Sequence, residues 1–226
     1  MTIIRSIFSM FLVLCLNPSL HAQDIKKEQL TDRIRLYWDA NNKKIRAQGS
    51  YYQDEIVGMS NEKHGKWRFY DFKGNLTEEQ YFYRGRIHGK QLSYHPNKTI
   101  ASESYFVFNV ADSVFREWNT EGKLMVEGHY EMGSPIGTWD YFYKDGALKS
   151  REQISNDTVY LIEHYTDDSL HSQVVKNGEG EIKSFYASGR LKEFYTYSKG
   201  LKTGAFEERL ANGIISILGG FDKGLK

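Results

Sequence analysis

A 24-residue period constrains this chain more than any single residue does. Gly65 and Gly89 stand 24 apart, Ser113 and Gly137 continue the step, and Gly180 and Gly204 repeat it. Within each step the order recurs: a glycine, an aromatic pair, a turn with Gly or Asn, an aliphatic residue, an acidic residue, then Tyr or Phe and a second glycine. Self-similarity at about 20–50 residues marks a repeat array, in which each unit covers its neighbours instead of folding around one centre. Such an array offers a long surface for binding more readily than an enclosed pocket for chemistry.

The turns frame the units. Tyr70, Tyr94, Trp118, Tyr143, Tyr165, Tyr186 and, in the last copy, Leu210 lead into turns at Gly74, Asn97, Gly122, Gly146, Ser169, Gly189 and Gly213. A looser copy at Leu36-Tyr37-Trp38, turning at Asn41-Asn42, brings the total to about eight. Gly and Asn tolerate the positive φ that tight hairpins need, and Asp145-Gly146 and Asn212-Gly213 are the strongest hairpin signals. The runs between turns are rich in Tyr, Phe, Trp, Ile and Val, which suit strands. Trp139, Tyr141 and Tyr143 alternate on one side of a strand, as do Leu124, Val126, Gly128 and Tyr130 on the return. The pairs Gly85/Gly89, Gly133/Gly137 and Gly200/Gly204 mark the passage to the next hairpin. The expected fold is all-β: an elongated single-layer antiparallel sheet of about eight tandem β-hairpins over residues 36–226.

Residues 1–22 read as a signal peptide: Arg5, an apolar run from Ile7 to Leu16, a break at Asn17-Pro18-Ser19, and cleavage after about Ala22. The run is too short to span a bilayer, which needs roughly 20 apolar residues. Lipidation at Cys15 is disfavoured by the bulky Leu14. Residues 23–35 read as a leader segment or a short helix, with apolar residues at Ile25, Leu30 and Ile34. The expected location is therefore outside the cytoplasm, periplasmic or extracellular. Without Arg5 the chain holds 29 basic and 29 acidic residues, and without Cys15 it holds no cysteine. Neutrality argues against nucleic acid as a partner. The lack of cysteine leaves packing and backbone pairing to hold the fold.

The copies Gly65-Lys66-Trp67-Arg68-Phe69-Tyr70, with Gly74-Asn75-Leu76 and Tyr81 to Gly85, and Gly137-Thr138-Trp139, with Gly146-Ala147-Leu148, resemble the MORN repeat in its bacterial variant form. The resemblance covers roughly residues 36–226 and extends to antitoxin components of the YwqK type. It implies β-hairpin rods with roles in protein contact, toxin neutralisation or membrane association, and it carries no catalytic residues.

The candidate interaction face is the aromatic series Trp67, Tyr70, Tyr94, Trp118, Trp139, Tyr143, Tyr165 and Tyr186. The same rings also serve as cross-strand packing, worth roughly 0.2–1 kcal/mol per pair. His64 and His88 fall one unit apart, but no third ligand at metal spacing accompanies them, so no metal or cofactor is expected. Carboxylate pairs such as Glu78-Glu79 and Glu207-Glu208 read as solvated strand charges, because no cleft is built to hold them at a set separation. No enzyme is expected. The leading function is a protein-interaction scaffold. The alternatives are an antitoxin-like protein that occludes a toxin and a lipid-surface binder using Lys73, Arg84, Arg86, Lys199 and Lys202. A second copy of the chain is a further partner left open.

Overall fold

The computed structural model describes residues 30–54, 56 and 58–225. The signal-like segment, Cys15 and the leader up to residue 29 lie outside them. Eight hairpins follow one another along the chain. They are β1 (Ile34–Tyr37) with β2 (Ile45–Asp54), β3 (Gly58–Tyr70) with β4 (Leu76–Tyr83), and β5 (Arg86–Tyr94) with β6 (Ile100–Val107). After the two-residue β7 (Val110–Ala111) come β8 (Ser113–Trp118) with β9 (Leu124–Glu131) and β10 (Ser134–Phe142) with β11 (Leu148–Ser155). The last three are β12 (Thr158–Tyr165) with β13 (Gln173–Lys176), β14 (Glu179–Phe185) with β15 (Leu191–Ser198), and β16 (Leu201–Arg209) with β17 (Ile215–Phe221). Strands pair antiparallel with their chain neighbours, and β6 pairs with both β7 and β8, so one 17-stranded sheet runs from end to end. The fold is all-β, as the repeat pattern requires. The described end of the leader is not helical: Leu30 bridges to Tyr52, and Ile34 opens β1 two residues before the expected start of the repeats.

The turns divide into two kinds. Between hairpins, Arg84-Gly85, Phe108-Asn109, Met132-Gly133, Asn156-Asp157, Asn177-Gly178 and Lys199-Gly200 each hold two successive residues at positive φ. That is the tight two-residue turn whose twist matches the strands. Within hairpins the loop is longer and a single residue takes positive φ: Asn42, Gly74, Lys98, Gly122, Gly146, His171, Gly189 or Gly213. Two expectations shift accordingly. Lys98, not Asn97, and His171, not Ser169, hold the left-handed position.

Each hairpin also carries a register shift at its leading residue. These shifts fall at Tyr37, Tyr70, Tyr94, Trp118, Phe142, Tyr165, Phe185 and Arg209. The frame read from Tyr143, Tyr186 and Leu210 was one residue too far along. Correcting it restores the step of 24 from Trp118 to Phe142.

A second irregularity joins the units. Gly65-Lys66-Trp67 stand opposite the single residue Gly49, Gly137-Thr138-Trp139 opposite Gly128, and Gly204-Ala205-Phe206 opposite Tyr195. The periodic glycine makes this bulge affordable to the backbone, at φ 70° for Gly65, 69° for Gly137 and 67° for Gly204. Ser113 occupies the same place at φ 67°, where a Cβ is disfavoured.

A single layer leaves little interior. Among the described residues eight apolar side chains are buried, and the one packed cluster is Ala47, Trp67 and Phe82, flanked by Leu36, Tyr51, Phe69 and Ile87.

Candidate functional site

The predicted aromatic series separates into three environments. Trp67 and Trp139 form the first, and they are core residues rather than a contact face. Trp67 is fully buried and Trp139 is 6 % exposed. Each lies on a glycine of the preceding strand: a Cβ at Gly49 would stand 2.4 Å from the Trp67 ring, and one at Gly128 would stand 2.2 Å from the Trp139 ring. The missing side chain is the space the indole fills. The Trp67 indole also donates to the Ser50 carbonyl at 2.8 Å.

Tyr70, Tyr94 and Tyr165 form the second environment, at the strand ends where hydroxyls meet polar groups. Gln48 donates to the Tyr70 hydroxyl, Tyr94 donates to Glu79 at 3.2 Å, and Tyr165 donates to Glu163 at 3.0 Å. These carboxylates belong to a row that crosses the sheet from strand to strand: Arg68, Glu79, Leu92, Glu103, Arg116, Glu127, Asp140, Arg151 and Glu163. Lys66 and Arg68 reach Glu79 at 2.7 and 2.6 Å, Lys90 reaches Glu103 at 2.5 Å, and Arg151 grips Asp140 with two bonds at 2.7 and 2.8 Å. Burial pushes the Glu79 and Glu103 carboxyls up, but the bonds from Lys66, Arg68 and Lys90 outweigh it and hold both below the usual carboxylate range. The charges neutralise each other within the sheet.

Tyr143 and Tyr186 form the third environment. Each stands first in its turn and donates to the leading carbonyl of the next hairpin, Tyr165 at 2.7 Å and Arg209 at 2.6 Å. Trp38 does the same to Tyr70 at 3.1 Å, and His95 to Trp118 at 2.8 Å. These clasps join hairpins one and two, three and four, five and six, seven and eight. In the intervening hairpins the first turn position holds Asp71, Asn119 or Thr166, whose side chain closes its own turn; Asn119 also donates to the Lys144 carbonyl of hairpin five at 3.4 Å. The alternation was present in the sequence, at positions 38, 95, 143 and 186, but its uneven steps and the misplaced frame hid it. Trp118 itself is half-buried at its strand end.

His64 and His88 do not meet as a pair, because the Tyr83 ring lies between them, 5.2 Å from His64 and 6.0 Å from His88. His64 is fully buried, and its Nδ1 accepts from the Arg84 amide. Burial, and then the Arg84 charge, lowers its pKa. No group of three metal-ligating side chains occurs among the described residues.

Two surface features remain. An open cleft of about 980 Å³ lies over β11 to β15, beside Tyr143, Lys149, His164, Lys183, Phe185 and Glu193. Its polar groups are engaged internally: Asp168 accepts from the Leu170 amide, Glu193 from Ser184 and Tyr195, and Glu181 pairs with Lys183. Burial, and then Lys149, lowers the His164 pKa. No nucleophile and base converge there.

The other feature is an apolar rim along the edge formed by the inter-hairpin turns. Tyr83, Val107, Phe108, Val110 and Met132 are all exposed there, Phe108 by 45 % and Met132 by 84 %. Phe108 and Met132 both sit at φ 49°, a conformation that costs a non-glycine residue roughly 1–2 kcal/mol. The sequence reading missed this rim because no aromatic ladder marks it. The signal was a bulky apolar residue at the first position of a two-residue turn, where other units carry Arg84, Asn156, Asn177 or Lys199.

A tandem array of β-hairpins with a neutralised charge row and an apolar edge defines the protein as a repeat protein of the open-sheet kind. Residues 63–83 and 87–107, which cover hairpins two and three, match the MORN repeat variant. No curated protein matches the chain, so no relative carries the resemblance to antitoxin components.

Proposed function

We propose that this chain is an exported, non-enzymatic scaffold that binds another protein along its apolar rim. The observation that carries the reading is the strained exposure of Phe108 and Met132. Met132 is held out of any core, and Phe108, whose ring rests 4.6 Å from His88 and 6.2 Å from Tyr83, still keeps 45 % of its surface exposed, both in backbone conformations that glycine adopts more readily. Exposed apolar clusters of this kind mark contact sites. The basic residues offered for a lipid surface support that reading less well. Arg84 stacks over Tyr52, and the Lys202 ammonium sits 3.7 Å from the Tyr195 ring centroid. Export rests on the signal-like segment, Arg5 to Ala22.

The test is capture from an envelope extract with the intact protein and a Phe108→Ser/Met132→Ser variant. Neither substitution removes a buried group. One dominant protein lost with the variant supports the scaffold. Equal capture by both proteins, or loss of phosphatidylcholine-vesicle flotation in place of a protein, ends it. For export, N-terminal sequencing of the recovered protein should begin at Gln23; a chain that retains Met1 would contradict it.

A further inference from the structure

We infer that the partner of the apolar rim is a second copy of this chain, docked antiparallel so that the turn at Phe108 lies on a two-fold axis. The inference rests on the scaffold reading and names the partner.

Three successive inter-hairpin turns carry it, each with paired strands on both sides. The residues that flank each turn pair directly across it and so share one face of the sheet: Tyr83 with Arg86, Val107 with Val110, and Glu131 with Ser134. Phe108 leans over that face toward the first turn, its ring 6.2 Å from the Tyr83 ring. The third turn lies against Val110, which a Cβ at Gly133 would approach to 3.3 Å. Along the rim the order is therefore basic, apolar, acidic. Arg86 and Glu131 are exposed, and neither forms an ion pair among the described residues. They stand three strand spacings apart, about 14 Å, with the two valines between them. The other charges nearby are engaged or lie outside this stretch. Arg84 stacks on Tyr52, Asp112 accepts from the Ser113 hydroxyl, and Glu62 of β3 lies beside Gly85 on the side away from Phe108.

Opposite charges on either side of an apolar centre select the occupant. A two-fold through Phe108 reverses the rim, so Arg86 of each copy meets Glu131 of the other, Tyr83 meets Met132, and the valines close on their counterparts. A parallel alignment would set Arg86 on Arg86. The two-fold contact is self-complementary and closes at two chains. Three turns spaced two strands apart span only about 20 Å. That is a small contact compared with a standard interface, so the dimer should dissociate on dilution.

Sedimentation velocity of the full chain over about 1–100 µM, the regime of a small interface, tests this. The intact protein should pass from monomer to dimer as concentration rises. Arg86→Glu and Glu131→Arg should each weaken the dimer by about tenfold or more, because like charges then meet twice in every dimer. The double variant Arg86→Glu/Glu131→Arg exchanges the two charges and should regain association to within about threefold of the intact protein. Both positions are exposed in the single chain, so the circular dichroism spectra should be unchanged. A monomer at every concentration, association that grows beyond the dimer, single variants that dimerise normally, or a double variant that stays monomeric would overturn the inference. The two readings fail separately. A monomeric chain that captures a foreign protein, lost with Phe108→Ser/Met132→Ser, ends this inference and keeps the scaffold, whereas a monomeric chain that captures nothing ends both.

Discussion

From β3 to β10 each hairpin passes the chain on through the same joint, and at β13 the joint is shortened. In the regular stretch the amide of one inter-hairpin turn donates to the start of the preceding hairpin: Gly85 to Lys63, Asn109 to Ile87, Gly133 to Ala111. Its turn glycines are less confined: a Cβ at Gly85 would stand 3.7 Å from Glu62 and one at Gly133 3.3 Å from Val110, while at the neighbouring bulge a Cβ at Gly137 would meet nothing within 4 Å. Hairpin six is compressed, with β13 only four residues long, and the turns above it close directly on one another. The Gly178 amide reaches back only to Ile162, and Leu161 donates to Gly200; the regular joint resumes with Gly200 to Gly178 and Gly224 to Lys202. Glycine there serves close approach. A Cβ at Gly180 would stand 2.1 Å from the Val174 carbonyl, and one at Gly200 2.8 Å from the Tyr160 Cβ. At these turns glycine meets two demands, left-handed backbone in both kinds of joint and, in the compressed one, absence of volume as well. The charge row ends at the same place, with Glu163 as its last member.

The largest effect should come from the regular stretch, where Trp67→Ala empties the one packed cluster. A loss of about 3–5 kcal/mol is expected, read by urea denaturation. A loss under about 1 kcal/mol would mean that the cluster does not hold the stack. Next comes the contrast between joints. Gly180→Ala should cost more than about 2 kcal/mol, since backbone must move, while Gly137→Ala should cost about 1 kcal/mol from φ alone. Equal costs would erase the distinction drawn between the two regions.

The clasps give a smaller signal. Tyr186→Phe removes one bond to the Arg209 carbonyl and should cost about 0.5–1.5 kcal/mol. Hydrogen exchange should then show faster opening in both hairpins seven and eight, and opening confined to hairpin seven would argue against clasped pairs. Smaller still, Ser113→Gly should stabilise the protein by up to about 1 kcal/mol, because strain at φ 67° is relieved at some cost in unfolded-chain entropy. A lower melting temperature would show that the Ser113 hydroxyl bond to Asp112 outweighs the strain.

Acid should act in two stages. His64 and His164 have lowered folded pKa values, so the unfolded chain binds protons more readily and stability falls as pH drops below the ordinary histidine value near 6.5. Glu79 and Glu103 are also lowered. Their contribution is present above the ordinary value near 4.5 and is lost as pH falls below it. Melting temperatures of the intact protein and His64→Asn between about pH 7.5 and 5.5 check the first stage, which should flatten in the variant.

The class of fold was legible because its determinants are local. Turn glycines, alternating strands and a repeated step specify hairpins in succession, and succession alone specifies the sheet. The candidate site was not legible. Trp67 and Tyr70 stand three apart in every reading of the sequence, yet one is core and the other meets a solvent-side row, and only the bulge opposite Gly49 decides which is which. A frame error of one residue also made Tyr143 and Tyr186 look equivalent to Tyr70, when they are clasps between hairpins.

What the sequence by itself determined was the period, the strand content and the order of pairing, since these follow from φ preferences and side-chain alternation within a few residues. What only the tertiary structure decided was which aromatic is buried and which glycine is there for space. Those depend on contacts between units 20 or more residues apart, where a shift of one residue in register moves every side chain to the other face.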